Sequence, residues 1–313
     1  MKSESEPIDF ENIIKDVDKQ SAWKATEYEF MKLPRSQLRK FLGVIPDYED
    51  LKRLRAKPRP DIVKVIADFR GAKSKEGLYF LNENFLDIIR DLVVERPPVV
   101  VDWRNRRGKN NVTSVKNQGG CGSCVSFATI AALESMLIIE HNVTLDLSEA
   151  ELLFCGGGSC GGWWPSNAVT YLRNHGVSQE SCFPYVATNM PCSTCTERNG
   201  QAIQITYSVE LFNLNDRKNF LSSCGPTICV FEVFEDFFSY RSGVYSHITG
   251  SSVGLHSVEI IGYDNGLNCW ICKNSWGSGW GDGGFFKIAY GQCSIDSAFP
   301  FWLIGHTRWY SFG

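Results

Sequence analysis

The chain has 313 residues, enough for one large core or two of ordinary size. Its 43% hydrophobic and 13% aromatic content marks a globular protein, while a formal charge of −3 and a pI near 6.0 supply neither a basic stripe for nucleic acid nor a polybasic patch for membranes. No run approaches the 18 or so uncharged apolar residues of a membrane span, and the acidic opening "MKSESEPIDFENIIKD" does not read as a secretory signal, which leaves the compartment unwritten.

All 12 Cys, all five His and eight of the nine Trp lie after position 97, with only Trp23 before it. Residues 1–97 are charge-dense and helix-favouring, and the turn-prone "ERPPVVVDWRNR" at 95–106 marks the joint between two chemistries. In the first region "FENIIKDVDKQSAWKATEYEFM" has helical periodicity. "PRSQLRKFLG" places Leu38, Phe41 and Leu42 on one face with Gly43 as a stop, and "NENFLDIIRDLVVE" predicts a third helix. Beyond the joint, an apolar helix is predicted from about Ser123 to His141, a capped short helix over 146–155 with Ser148 at the cap and Glu151 three on, and a helix over 165–176 ended by Gly176. From about 203 the runs "AIQITYSVELF", "GPTICVFEVF", "GLHSVEIIGYDNG", "LNCWICKNSW" and "GGFFKIAYG" read as strands. Two sequons, at Asn111 and Asn142, are permissive for glycosylation.

"NQGGCGSC" at 117–124 sets a thiol where the long helix begins, and Cys124 reads as a nucleophile, half of a disulfide, or half of a metal-binding pair. A helix N-terminus favours the thiolate, but a free thiol is mostly protonated at neutral pH, so a catalytic cysteine also needs a partner base. Gln118 offers an amide that, with the Cys124 N–H, can donate to a developing oxyanion. Of the five histidines, His141 and His175 fall near helix ends, while His247 and His306 lie in a turn and a C-terminal run. His256 opens the strand "HSVEIIGY", where β-pairing fixes it as a base or as a buried structural ring. Asn274 in "KNSWGSGWG" offers an orienting amide, and Trp276 can cover it from water.

With those residues in place, 99–313 resemble a papain-family (C1) cysteine peptidase through "VVVDWR", "NQGGCGSC", "LSEAELLFC", "FPY", "HSVEIIGYDNG", "KNSWGSGWGDGGFFKI" and "GQCSIDSAFP". The resemblance implies an α+β, papain-like two-domain fold: a mainly helical half (about 98–200), a mainly β, barrel-like half (about 201–313), and the active site in the cleft between them. It implies Cys124 as nucleophile, His256 as general base and acid, Asn274 as the residue orienting the imidazole, and Gln118 as oxyanion donor. A Cys–His ion pair, with a thiol pKa as low as about 3–4, goes with such a site. Residues 1–97, with "AWKATEYEF" and "LRKFLG", are similar to short cathepsin B-like propeptides, which implies an inhibitory helical segment along the cleft. Neither "HH" nor a long insertion between Tyr185 and Ile203 signals an occluding loop, so endopeptidase action on protein or peptide substrates is expected, by a monomer without cofactor or metal. The pocket positions map to Trp164, Pro165, Thr227, Gly254 and Ser257, an uncharged set suited to apolar or aromatic P2 side chains.

The chain also departs from the pattern. Val125 follows the nucleophile where the family has Trp, and Leu255 precedes His256 where Asp is common. The rim reads Gly161-Gly162-Trp163-Trp164-Pro165, so either the loop is shortened or Trp163 takes a position whose backbone pairs with substrate. By the same resemblance Cys121 bridges Cys160 and Cys155 bridges Cys192. Cys182 and Cys195 are left over as a possible third pair, and Cys293 lacks its usual partner. Cys224, Cys229, Cys269 and Cys272 fall on or beside strands, and Cys269 and Cys272 point to opposite faces of an extended run, which opposes chelation. The disulfides imply a secreted or lysosome- or vacuole-like compartment. The rival readings are a catalytically silent homologue that binds peptide in the cleft, and a zinc or thiol-redox module.

Overall fold

The computed structural model describes residues 7–20, 23–75, 97–198 and 200–309. The helix expected in "NENFLDIIRDLVVE" lies outside them.

The N-terminal segment begins with α1 (Phe10–Gln20), whose Phe10, Ile13 and Val17 are buried. The helical pattern read on to Met31 stops at Gln20. Trp23–Ala25 is instead strand β1, antiparallel to β5 (Tyr240–Tyr245). Tertiary burial overrides propensity here: the Trp23 indole is enclosed against Tyr240 and Tyr245 and donates to the Ser246 carbonyl at 2.9 Å. A short α2 (Arg35–Leu38) runs through a tight turn to Phe41, and residues 42–45 continue extended. Two further helices, α3 (Tyr48–Ala56), capped by Asp47, and α4 (Ile62–Lys75), complete the described segment.

The rest of the chain is helical first and β later. Helix α5 (Cys124–His141) is buried from Cys124 to Ile138. By length and composition it is apolar enough to cross a membrane, but it forms the core of the helical half, and Asn142 ends it in a left-handed conformation. Ser148 caps the next turn by accepting from the Glu151 N–H at 2.9 Å; Glu151 itself turns away to Ser178 and Arg198. Helix α6 (Pro165–Asn174) starts on Pro165, where a missing N–H leaves nothing unsatisfied, and Gly176 follows it at φ +67°.

Strands β2 (Val100–Asp102), β3 (Ile203–Leu211), β4 (Thr227–Phe234), β6 (Ser252–Asp264), β7 (Cys269–Lys273), β8 (Phe285–Ala289) and β9 (Phe301–Trp309), with β1 and β5, form a nine-stranded sheet in the order β1-β5-β8-β7-β6-β4-β9-β3, with β2 on β6. Helix α7 (Leu214–Ser223) packs beside it. Every pairing is antiparallel except β5 with β8. The architecture is α+β and papain-like, with the N-terminal segment laid over both halves. Cys121–Cys160, Cys155–Cys192 and Cys182–Cys195 are disulfides, whereas Cys124, Cys224, Cys229, Cys269, Cys272 and Cys293 are buried and outside any disulfide.

Candidate active site

Four elements converge on Cys124. The residue opens α5, held by the loop that the Cys121–Cys160 disulfide and the Gly122 N–H to Cys160 carbonyl bond (2.9 Å) pin down. His256 projects from β6, paired across to Phe231 of β4, and Asn274 stands just past the end of β7. Asn274 Oδ1 accepts the Ser275 backbone N–H at 2.8 Å, and an amide proton cannot accept, so this bond fixes which end of the side chain is oxygen. The same oxygen lies 2.8 Å from His256 Nε2, which must therefore carry the proton. His256 Nδ1 is left as the bare basic nitrogen, and no protein group bonds to it. Trp276 lies over the pair with its ring centroid 4.9 Å from the imidazole, keeping water off the bond.

Gln118 is fixed by the same logic. Its Oε1 accepts from Ser275 Oγ at 2.6 Å, so Nε2 points the other way, to the Cys121 carbonyl at 2.9 Å and the Phe41 carbonyl at 3.2 Å. Trp276 Nε1 donates to that Phe41 carbonyl as well, at 3.1 Å. The N-terminal segment thus sets a peptide carbonyl against both donors. It then runs on through the cleft: Trp163 N–H donates to Gly43 (2.8 Å), Ile45 N–H to Trp163 (3.0 Å) and Val44 N–H to Leu255 (3.3 Å). Gly43 passes so close that a β-carbon there would meet Gly122 O at 1.9 Å.

This cover reverses the expected electrostatics. Burial pushes the Cys124 thiol up to about 12, although backbone N–H groups of Ser257, Gly43, Val125 and Cys124 itself favour the thiolate. Burial also lowers His256 to about 4, against the Asn274 bond. Burial of both groups thus opposes the expected thiolate–imidazolium pair in the covered form.

The remaining predicted positions divide. Gly254 faces the segment, with Leu42 Cδ1 3.2 Å from where a β-carbon would stand, and Gly162 abuts Gly43 and Ile45. The Ser257 N–H faces the sulfur, while its hydroxyl donates to the Cys229 carbonyl at 3.0 Å. Trp163 resolves the rim question: its own backbone pairs with residues 43–45, and its indole lies against Gly156 and Gly158. Trp164 is buried against Trp302 and Phe299, and Pro165 opens α6. Thr227 is not brought to the site; it pairs with Ile260, and the position opposite Ser257 is Val230, three residues on. Val125, fully buried, belongs to the core of the helical half.

Sequence reasoning missed Ser275, although it sits inside the "KNSWG" motif. It also missed the ion cluster behind the site, where Lys116 meets Glu134 (3.0 Å), Asp146 (2.6 Å) and Glu149 (2.8 Å). Glu149 was legible only as part of a helix start. Among the described residues, no group of three or more His, Cys, Asp or Glu is placed to hold a metal ion.

A family model described as "Papain family cysteine protease" matches residues 97–301. Pro-cathepsin H of Mus musculus is 40% identical over 209 residues, 62% of this chain and 61% of that protein. The thiol protease aleurain of Arabidopsis thaliana is 35% identical over 210 residues, 63% and 58% of the two chains. The chain thus spans about three fifths of the length of these curated relatives. Among solved structures, procathepsin B S9 from Trypanosoma congolense superposes with a TM-score of 0.73 over 97% of this chain and 99% of its own, at 22% identity, a likeness of fold. Procathepsin L2 of Tenebrio molitor gives 0.71 over 95% and 88%, at 26% identity. The chain belongs to the papain family of cysteine proteases.

Proposed function

We propose that this protein is the zymogen of a cysteine endopeptidase, in which residues 98–313 are the peptidase and residues 1–97 its inhibitor. The observation that carries the reading is the set of fixed hydrogen bonds in which Asn274 Oδ1 accepts from both Ser275 N–H and His256 Nε2, which leaves Nδ1 basic and, among the described residues, without a hydrogen-bond partner. Once residues 41–45 leave, Nδ1 takes the Cys124 proton and the thiolate attacks the carbonyl carbon of a bound peptide. The carbonyl electron pair moves onto oxygen, which Gln118 Nε2 and the Cys124 N–H receive. Collapse breaks the C–N bond, the imidazolium gives its proton to the departing amine, and a thioester remains. Water, deprotonated by His256, then attacks the thioester and releases the acid and the thiol.

Leu42 against Gly254 supports an apolar P2 preference, since an apolar side chain already fills the place beside the site. The disulfides and the family support a secreted, lysosomal or vacuolar site of action. To test the reading, residues 1–97 are removed and the remainder is incubated with a thiol alkylator and with peptides bearing Leu or Phe at P2. One-to-one labelling at Cys124, with hydrolysis that Cys124→Ala abolishes, is expected. Labelling no faster than an ordinary thiol, without hydrolysis, would favour a silent peptide-binding homologue.

A further inference from the structure

The two sequons meet opposite environments. Asn111 is buried; its Nδ2 donates to the Lys109 carbonyl at 3.1 Å and its backbone N–H to Trp103 at 2.9 Å. The hydroxyl of its partner Thr113 is committed inward, donating to Glu134 at 2.6 Å and accepting from Lys273 Nζ at 3.0 Å. A bulky group on Asn111 would have to displace that interior network. Asn142 and Thr144, by contrast, are both exposed in the turn after α5. Lys109 Nζ donates to Asn142 Oδ1 at 2.5 Å, so the bond engages the oxygen end of the amide and not Nδ2, and the residue has a left-handed backbone (φ +58°). Asn142 also follows the C-terminal end of an 18-residue helix whose N-terminal residue is Cys124, about 27 Å away along the axis.

We infer that Asn142 is an N-glycosylation site and that Asn111 is not, so that a glycan stands on the far end of the nucleophile helix and leaves the cleft open. The inference uses the secretory location proposed above and not the peptidase chemistry. The group comes from a lipid-diphosphate-linked oligosaccharide: Asn142 Nδ2 bonds to the anomeric carbon, the anomeric C–O bond breaks, the lipid diphosphate leaves with the electron pair, and one amide proton is lost.

The full chain, secreted from a glycosylating eukaryotic cell behind an added signal peptide, is mapped by peptide mass spectrometry before and after peptide N-glycosidase. The expected result is conversion of Asn142 alone to aspartate. Asn142→Gln and Thr144→Ala should each abolish the mobility shift while leaving the kcat/KM of the activated enzyme within about twofold of the parent. A bare Asn142 in the secreted, disulfide-bonded chain, or a glycan on Asn111, overturns the inference. The mapping is read on the parent chain, so it stands even if a variant fails to fold, and a chain that is glycosylated but inactive would count against the peptidase reading alone.

Discussion

Trp164 Nε1 donates to Asp50 at 2.8 Å, so an indole in the wall of the papain-like cleft is held by a carboxylate from the segment that covers it. Burial alone would raise Asp50, but hydrogen bonds from Ser166, Arg53 and Trp164 together hold its carboxyl below the ordinary value of 3.8. A depressed carboxyl stabilises the covered form above its unfolded pKa, and the stabilisation is lost as pH falls through the folded one. The Asp50 contribution should therefore persist at pH 5 and fade only below about 4. For Asp50→Ala, inhibition of the mature enzyme by an added 1–97 fragment should weaken about tenfold to a hundredfold at pH 6, the size of one charge-assisted hydrogen bond. The loss should shrink toward pH 3 in a titration of inhibition constants.

Gly43 leaves no room for a side chain against Gly122. Gly43→Ala should lift residues 41–45 from the cleft, rehydrate Cys124 and let the thiol fall from about 12 toward its ordinary range. Alkylation of the uncleaved chain at pH 7 should then be at least about tenfold faster than in the parent, since each unit of thiol pKa multiplies the thiolate fraction by ten. Equal rates would mean that the segment does not set the reactivity of the sulfur.

Ser275 Oγ donates to Gln118 Oε1 at 2.6 Å and so orients the Gln118 amide. Ser275→Ala should lower kcat about fivefold with KM nearly unchanged, because a freed amide is misdirected only where charge develops. Gln118→Ala, which removes the donor itself, should cost about 10²–10³ in kcat. Steady-state kinetics on one peptide separates the two.

Arg35 of the N-terminal segment is buried in an ion pair with the buried Glu235, and Arg35 Nη2 also donates to the Ser252 carbonyl at 2.6 Å. Arg35→Ala should destabilise the intact chain by about 3–5 kcal/mol, and Glu235→Gln added to it should recover part of the loss, because the penalty comes from a buried charge deprived of its counter-charge. Urea unfolding midpoints of the single and double variants measure both.

What the sequence made legible was local. Cys124, Gln118, His256 and Asn274 each lie inside a short run whose residue types state their chemistry; in the structure His256 bonds Asn274, Ser275 joins Asn274 to Gln118, and the N–H of Ser257, next to His256, faces the Cys124 sulfur. The register of one strand on another is not written in either strand: the resemblance maps Thr227 to the pocket, whereas the fold pairs Thr227 with Ile260 and sets Val230, three residues on, opposite Ser257. The helix read through Trp23 failed for a related reason: a few residues of helical pattern cannot show that a distant sheet edge will claim them. Trp163 was ambiguous because shortening the loop and replacing a glycine leave the same letters behind. Only the pairing of its backbone with residues 43–45 separates them.

Strand β1 has one more consequence. Through Trp23–Ala25 the N-terminal segment supplies the last strand of the sheet, capping the backbone of β5 at Tyr240, Ser242 and Gly243. When the segment departs, those N–H and C=O groups become an open rim, with the aromatic hollow that held Trp23 beside it. Maturation would therefore expose two adhesive surfaces at once, the cleft and a strand-hungry border.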